Sequence, residues 1–474
     1  HRELKRVPRV DELWVRKKEP HCLFTEFDLL AVDECQAMRN ADTDVCAAHH
    51  FMSRLCDHRV ALSATLAMNA SSDLHGVCVA LDASFRDASG RKISSKFNDF
   101  TDRDCWLVRN DSGTINRQTV EQFSKFLHII NEDVLDLPEM KRTQVFYEPE
   151  LDASAAKLYN QALKRARSIQ RTHDRSGSGE KRAFNDLIVA LTLMQQLMTS
   201  PMLAEHGAEA FKQDPQLFEE AVAAPPSGAL KTLLAQLDGA LRGDHARVIV
   251  ASNHVSVLRL AKLYTERHLT VAGVETFVYD GSLTLKARKK VKNDFLASAA
   301  GVLFLSIAAG GQGLHLVPGC RLMLFFGVRS YSPLIELQCA KRIHRIGQDL
   351  PVEIRFLLSN GGIDLAVEAL HADKQRLADA LTSNEWNFLE NSTNSRWKST
   401  LRIIDRARFI STDGSRFVDV EPVYNDAAVV SRTMAPKIPT IVSSGTGARA
   451  KLSAHAEPKA LVGAPKMVQA SLLR

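Results

Sequence analysis

The 474-residue chain predicts an α/β protein with mostly parallel sheets covered by helices on both faces, on three observations. Its apolar runs are short and almost wholly apolar, as expected of strands buried on two sides. Stretches of helical length and periodicity separate them. No apolar run approaches the ~20 residues that a bilayer-spanning helix needs.

In chain order, FDLLAVDE and RVALSAT read as strands of a first block. RVIVASN, TFVYDG, GVLFLSIAA, CRLMLFFG and VEIRFLL read as strands of a second. The second block is interleaved with HVSVLRLAKLYTERHL, LKARKKVKNDFLAS and SPLIELQCAKRIHRI, which have the length of helices. Between the blocks, KLYNQALKRARSIQRTHDRSGSGEKRAFNDLIVALTLMQQLM reads as two helices broken by a Ser/Gly segment. The prolines and glycine of AAPPSG mark the entry to the second block. The expected division is therefore 1–150, a first lobe; 151–226, a helical insertion; 227–382, a second lobe; and 383–474, a basic, largely disordered tail rich in Ala, Ser, Gly and Pro.

Hydrophobic residues make up 45% and charged residues 24%, the balance of an ordinary water-soluble protein. The net charge of +6 is mild and permits a polyanionic partner without requiring one. Eight cysteines without framework spacing point to a reducing compartment. The basic start HRELKRVPRV is no signal peptide, and with no initiator methionine a fragment or processed product is expected.

Four motifs carry chemistry. An apolar strand delivers Asp33 and Glu34 at its end in LLAVDECQAMRN. Paired carboxylates there suit phosphoryl transfer, one holding magnesium and the other orienting the attacking water; a plain turn is the alternative. LSATLAMN follows, with Ser63 and Thr65 placed to relay contacts between nucleotide and nucleic acid, or simply to end a strand. In SIAAGGQGLHL, Gly310, Gly311 and Gly313 permit close backbone approach to phosphate or ribose, or a tight structural turn. QCAKRIHRIGQ is the most informative: Gln338, Arg342 and Arg345 are spaced to share one stripe of a helix, with Ile335, Cys339, Ile343 and Ile346 as the anchoring apolar stripe. Arginines projecting from an anchored helix can stabilise charge on a γ-phosphate. A solvated basic helix face is the alternative reading.

The order and spacing of these pieces over about residues 20–380 resemble the Swi/Snf-type ATPases of the superfamily-two helicases, large-virus relatives among them. DECQAMRN is similar to the family's acidic box, LTLMQQLMTSPML to its helix ending in His-Pro (here Ser200-Pro201), and RIHRIGQDLPVEIRFLL with GGIDLAVEALHADKQRL to its most distinctive stretch. The resemblance implies two recombinase-like α/β lobes with ATP and Mg2+ between them. Asp33 would bind magnesium, Glu34 would serve the water, Arg342 and Arg345 would be arginine fingers, and Gln338 would sit beside the γ-phosphate. It also implies that Gly311 and Gly313 approach the nucleotide, that Ser252, Ser306 and Thr65 touch nucleic acid, and that the motor moves along double-stranded DNA. The implied location is intracellular, in a nucleus or a viral replication or virion compartment. Strand separation, or scaffolding by a degenerate motor, are the other functions the residues allow.

The departures are specific. No Gly-x-x-x-x-Gly-Lys-Ser/Thr phosphate loop occurs in the sequence, and only 32 residues precede Asp33. The first lobe is thus expected to be incomplete, the chain alone to hydrolyse ATP little, and the loop to lie upstream. Where the family has Gly-Thr-Pro this chain has Ser63-Ala64-Thr65-Leu66, closer to general helicases; its Trp-Asn-Pro is Tyr331-Ser332-Pro333, and its Asn after the glycines is His315. The cluster Cys46, His49, His50, Cys56 and His58 has zinc-ligand chemistry, but lies where the resemblance expects a helix. The basic run Lys164, Arg165, Arg167, Arg171 and Arg175 reads as a solvated helix face or a phosphate-contacting one.

Overall fold

In the computed structural model, the described residues are chiefly 27–63 (41 and 42 excepted), parts of 76–81, 135–176, 180–204, 214–310, 314–382 and 403–423. Four short strands join them: β1 (Leu4–Arg6), β2 (Trp14–Arg16), β5 (Phe85–Arg86) and β6 (Lys92–Ile93). Among the described residues no helix is long and apolar enough to cross a membrane.

The first block is a two-stranded parallel sheet of β3 (Phe27–Val32) and β4 (Cys56–Ala61), joined by helix α1 (Asp44–Ser53). Thr43 caps α1 by accepting from the Cys46 amide at 3.3 Å. Val32, Cys35, Met38, Cys46, Val77 and Ala80 form its small core. Of the Cys/His cluster, Cys46, His50 and Cys56 are buried in this block, whereas His58 is exposed. Cys46 donates to Gly76 O, Cys56 to Met52 O, and His49 Nδ1 lies 2.7 Å from Val45 O.

The second block is a six-stranded, wholly parallel sheet in the order β7 (Met140–Tyr147), β12 (Val352–Ser359), β11 (Leu322–Phe325), β8 (Arg247–Ser252), β10 (Gly301–Ser306), β9 (Glu275–Tyr279). Successive residues of its central strands enter different cores. Val248, Val250, Val302 and Phe304 face one, whereas Ile249, Ala251, Leu303 and Leu305 face the other. Continuous apolar runs arise because both faces of a parallel sheet are covered.

Helices α2 (Ala153–Ser176), α3 (Glu180–Thr199), α4 (Gln216–Ala223), α5 (Gly228–Arg242) and α6 (Val255–His268) contribute to the first of these cores. Ser227 ends the Pro-Pro segment and caps α5, accepting from the Leu230 amide at 3.3 Å while donating to Thr199 O at 2.7 Å. On the other face lie α7 (Leu285–Ala297), α8 (Ile307–Gly310) and α9 (Pro333–Ala340). Helix α10 (Ile363–Thr382) follows β12 and returns to the first core.

Two boundaries differ from those expected. Strand β7 falls within 1–150, yet pairs with β12 along its whole length, from Met140↔Val352 to Tyr147↔Ser359. Its sequence, MKRTQVFY, has the mixed character of an edge strand, which needs no continuous apolar run. Within the expected disordered tail, β13 (Phe409–Ile410) and β14 (Phe417–Val418) form a hairpin, with Ile403, Ile404, Ala407, Phe409, Ile410 and Phe417 buried in the core that α2 also lines. Asn160 clamps it, donating to Ile410 O at 2.7 Å and accepting from Ile410 N at 2.8 Å. The basic run on α2 serves this docking in part. Arg167 donates to Ala407 O at 2.9 Å and lies over the Phe409 ring, and Lys164 pairs with Glu421.

Candidate nucleotide and nucleic-acid site

Asp33 and Glu34 stand exposed just past the end of β3. Glu34 has φ 53° and ψ 45°, a left-handed conformation that is strained for a residue with a Cβ and recurs at functional turns. Its amide donates to Asp33 Oδ1 at 2.8 Å, and its Oε2 accepts from Gln36 Nε2. Ser63 then donates to Gln36 Oε1 at 2.6 Å. The acidic box and Ser63 are therefore joined by hydrogen bonds, with Gln36 as the intermediary that sequence reading passed over. Backbone bonds from Cys35 N to Leu62 O (3.0 Å) and from Leu62 N to Val32 O (2.8 Å) hold the two strand ends together.

Among the described residues no group of three or more His, Cys, Asp or Glu side chains is arranged to hold a metal. Magnesium commonly takes one or two protein carboxylates and completes its shell with phosphate oxygens and water. An exposed Asp33 fits that role and no dedicated protein cage.

In the large sheet, the chain leaves β8 for β9, returns to β10 beside β8, then crosses to β11 on the other side. The carboxyl ends of β8, β10 and β11 thus frame a topological switch point, where ligands bind in open α/β sheets. Ser252 and Ser306 end β8 and β10 but are both buried, and Ser252 Oγ donates to Val328 O at 3.3 Å. Gly310 closes α8, and a Cβ there would meet Leu305 at 3.0 Å. Gly311, Gly313 and Thr65 lie outside the described residues.

The helix expected through Ile346 stops at Ala340. Beyond it the amides reach back one residue less, Arg342 N to Cys339 O at 3.0 Å and Ile343 N to Ala340 O at 3.1 Å. The one-stripe arrangement is corrected accordingly: Gln338 is on α9, while Arg342 and Arg345 are on the turn that follows. Of the expected apolar stripe, Cys339 and Ile343 are buried and Ile346 is exposed. The turn is held from several sides. Gln348 donates to Cys320 O at 3.1 Å and to Ile343 O at 3.0 Å, His344 Nε2 lies 2.7 Å from Pro138 O, and Leu316 N donates to Arg342 O at 3.2 Å.

That last bond ties the segment after the glycines to the arginine turn. The positive charge of Arg345, then burial, then Lys292 and Arg342 hold the exposed His315 imidazole below its usual pKa. Three cationic side chains thus act on one exposed imidazole, a concentration of positive charge that attracts a polyanion.

Behind α9 lies a buried charge network that the sequence did not disclose. Arg329, 2% exposed, donates through Nε and Nη2 to Glu336 of α9 at 3.2 and 2.6 Å. Its Nη1 donates to Glu368 of α10 at 2.6 Å, and Nη2 to His371 Nδ1 at 3.1 Å. The guanidinium lies over Phe356 of β12, 4.7 Å from the ring centroid, and the Arg329 amide donates to Gln195 of α3 at 3.0 Å. Burial opposes the charge, but Glu336 and Glu368 outweigh it and keep Arg329 protonated.

Burial and the neighbouring Arg329 push His371 down to about 3, so it is neutral, accepting at Nδ1 and donating from Nε2 to Ser330 O at 2.7 Å. An unfolded chain takes up this proton near pH 6.5 and the folded one does not, so His371 contributes full stability above 6.5 and loses it as the pH falls toward 3. Between pH 7 and 5 the protein should lose about 2 kcal/mol from this group. Denaturant midpoints of the parent and of His371→Asn at both pH values check this; an equal slope in both excludes it.

Residues 228–347 match the model of the helicase conserved C-terminal domain. Strands β8 to β11 and the turn carrying Arg342 and Arg345 lie within this matched region. The chain is similar to the DNA repair and recombination protein RDH54 of Saccharomyces cerevisiae, 32% identical over 186 residues, which cover 38% of this chain and 19% of that protein. It is also 27% identical over 324 residues to a probable global transactivator of Orgyia pseudotsugata multicapsid polyhedrosis virus, covering 67% of this chain and 59% of that one. The matched regions are thus about a fifth and three-fifths of those relatives' lengths. Among solved structures, the Sulfolobus solfataricus SWI2/SNF2 ATPase core in complex with dsDNA aligns at 19% identity, 82% of this chain, 75% of that one and a TM-score of 0.39. The shared domain is thus the helicase conserved C-terminal domain over residues 228–347, and beyond it these proteins are what the chain is similar to.

Proposed function

We propose that this chain carries the acidic box and the arginine lobe of a motor that couples ATP hydrolysis to movement along double-stranded DNA. The observation that supports this best is the bond from Leu316 N to Arg342 O (3.2 Å), which ties the segment after the glycines to the arginine turn, with the charges of Arg345, Lys292 and Arg342 acting on His315. Magnesium ATP supplies the phosphoryl group to be transferred. Asp33 holds the metal, Glu34 orients the attacking water, Gln338 stands beside the γ-phosphate, and Arg342 and Arg345 neutralise the charge that develops there. Gly311 and Gly313 let the chain approach the nucleotide, and Thr65 relays its state to DNA. Ser252 and Ser306 shape the strand ends next to the nucleic acid. The resident compartment is a nucleus or a site of viral replication.

A DNA- or partner-binding scaffold is the second reading, favoured by one sequence fact: the 474 residues contain no Gly-x-x-x-x-Gly-Lys-Ser/Thr loop. That loop supplies the lysine and the backbone cradle for the β- and γ-phosphates, so the chain alone should turn over little ATP. A protein carrying both the loop and these residues should hydrolyse ATP faster with duplex DNA and displace a triplex strand without unwinding a fork. DNA affinity should fall steeply with salt as counterions are released. Fork unwinding would favour a strand-separating helicase. Salt-sensitive DNA binding with no stimulated hydrolysis would favour the scaffold.

A further inference from the structure

We propose that Arg329 is a positioning residue, its buried guanidinium fixing the direction of α9 so that Gln338 and Arg342 stand in place above the strand ends. The functional half of this rests on the reading of Arg342 as phosphate-facing.

Helix α9 has eight residues, and its N-cap Ser332 makes no side-chain cap bond. Helices shorter than about 12 residues are marginal on their own, so its direction must come from tertiary anchoring. Glu336, 1% exposed and in the middle of α9, is that anchor. Both its oxygens accept from Arg329, and Oε1 also accepts from Ser330 N at 3.1 Å. Glu368 and His371 hold the same guanidinium from α10, while Phe356 of β12 lies against its face.

A buried ion pair is poor evidence for stability, because apolar side chains of similar volume often serve as well. A planar fork with several fixed directions instead specifies geometry. Here the specified element is the helix that bears Gln338 and leads, two residues after its end, to Arg342.

Arg329→Lys keeps the charge and loses the fork. In the 474-residue chain, amides of residues 333–345 should exchange with solvent about tenfold faster, with those of β8 and β10 within about twofold of the parent. In the loop-bearing protein, kcat should drop about tenfold with the KM for ATP within about twofold. Unchanged exchange at 333–345, an equal rise in β8 and β10, or a joint change of kcat and KM would overturn the proposal. Should Arg329→Lys fail to fold, Glu368→Gln removes a partner that is 29% exposed and should give the same pattern at smaller amplitude. Normal turnover in Arg342→Ala with α9 still loosened by Arg329→Lys would defeat the motor reading alone. A silent exchange experiment would defeat the positioning role whatever the turnover.

Discussion

Glu34→Gln should lower ATP turnover by about two to four powers of ten in a loop-bearing protein while ATP binding persists, the usual range for losing a positioned base. The amide is isosteric, so its oxygen can still accept from Gln36 Nε2 and the Ser63–Gln36 bond is untouched. The left-handed backbone at residue 34 is likewise unchanged in its demands. What disappears is the negative charge that orients water. Arg342→Ala should cost about three to five powers of ten, the range for arginine fingers, again with ATP bound and the lobe folded. Arg342 lies on a turn whose backbone bonds do not involve its guanidinium, so its removal leaves Leu316 N and Cys339 O their partners. Steady-state hydrolysis with saturating DNA, alongside ATP affinity by equilibrium titration, measures both. Wild-type turnover in either variant contradicts the assigned role, and lost ATP binding in Glu34→Gln means the carboxylate serves the nucleotide rather than the water.

Much of the fold was legible because the central strands are buried on both faces. VIVA, GVLFL and LMLF are uninterrupted apolar runs, and each lies in a strand of the six-stranded sheet. The edge strand β7 was not legible, since MKRTQVFY mixes charge with apolar residues. The hairpin at 409–418 was hidden for a related reason: two-residue strands carry no periodicity. At the candidate site, the residue types of the acidic box and the arginine turn could be read, but not their connections. Gln36 and Ser63 meet across 27 residues, a pairing that no local pattern encodes. The i, i+4 spacing of Gln338 and Arg342 continues in sequence although the helix ends at Ala340, because the tighter amide bonds and the left-handed Gly347 (φ 98°) turn the chain away. Arg329 in FGVRSYSP looks like any solvent-facing charge until Glu336, Glu368 and His371 converge on it from other elements.

The second large effect concerns that convergence. Arg329→Met should cost the lobe about 3–5 kcal/mol, the range for removing one partner of a buried ion pair. Methionine fills much of the volume and can lie against Phe356, so lost packing is the smaller part. The larger part is electrostatic: Glu336, at 1% exposure, would keep only Ser330 N from the bonds it now accepts, with Glu368 nearby as a like charge. Neutralising the acids tests the cause directly. Arg329→Met combined with Glu336→Gln and Glu368→Gln should recover most of the lost stability, since replacing a whole buried charge set costs far less than breaking it. Denaturant midpoints of the single and triple variants decide the matter. If the triple variant is no more stable than Arg329→Met, the loss is one of packing, and the guanidinium's worth lies in its shape against Phe356 rather than in its pairing with Glu336.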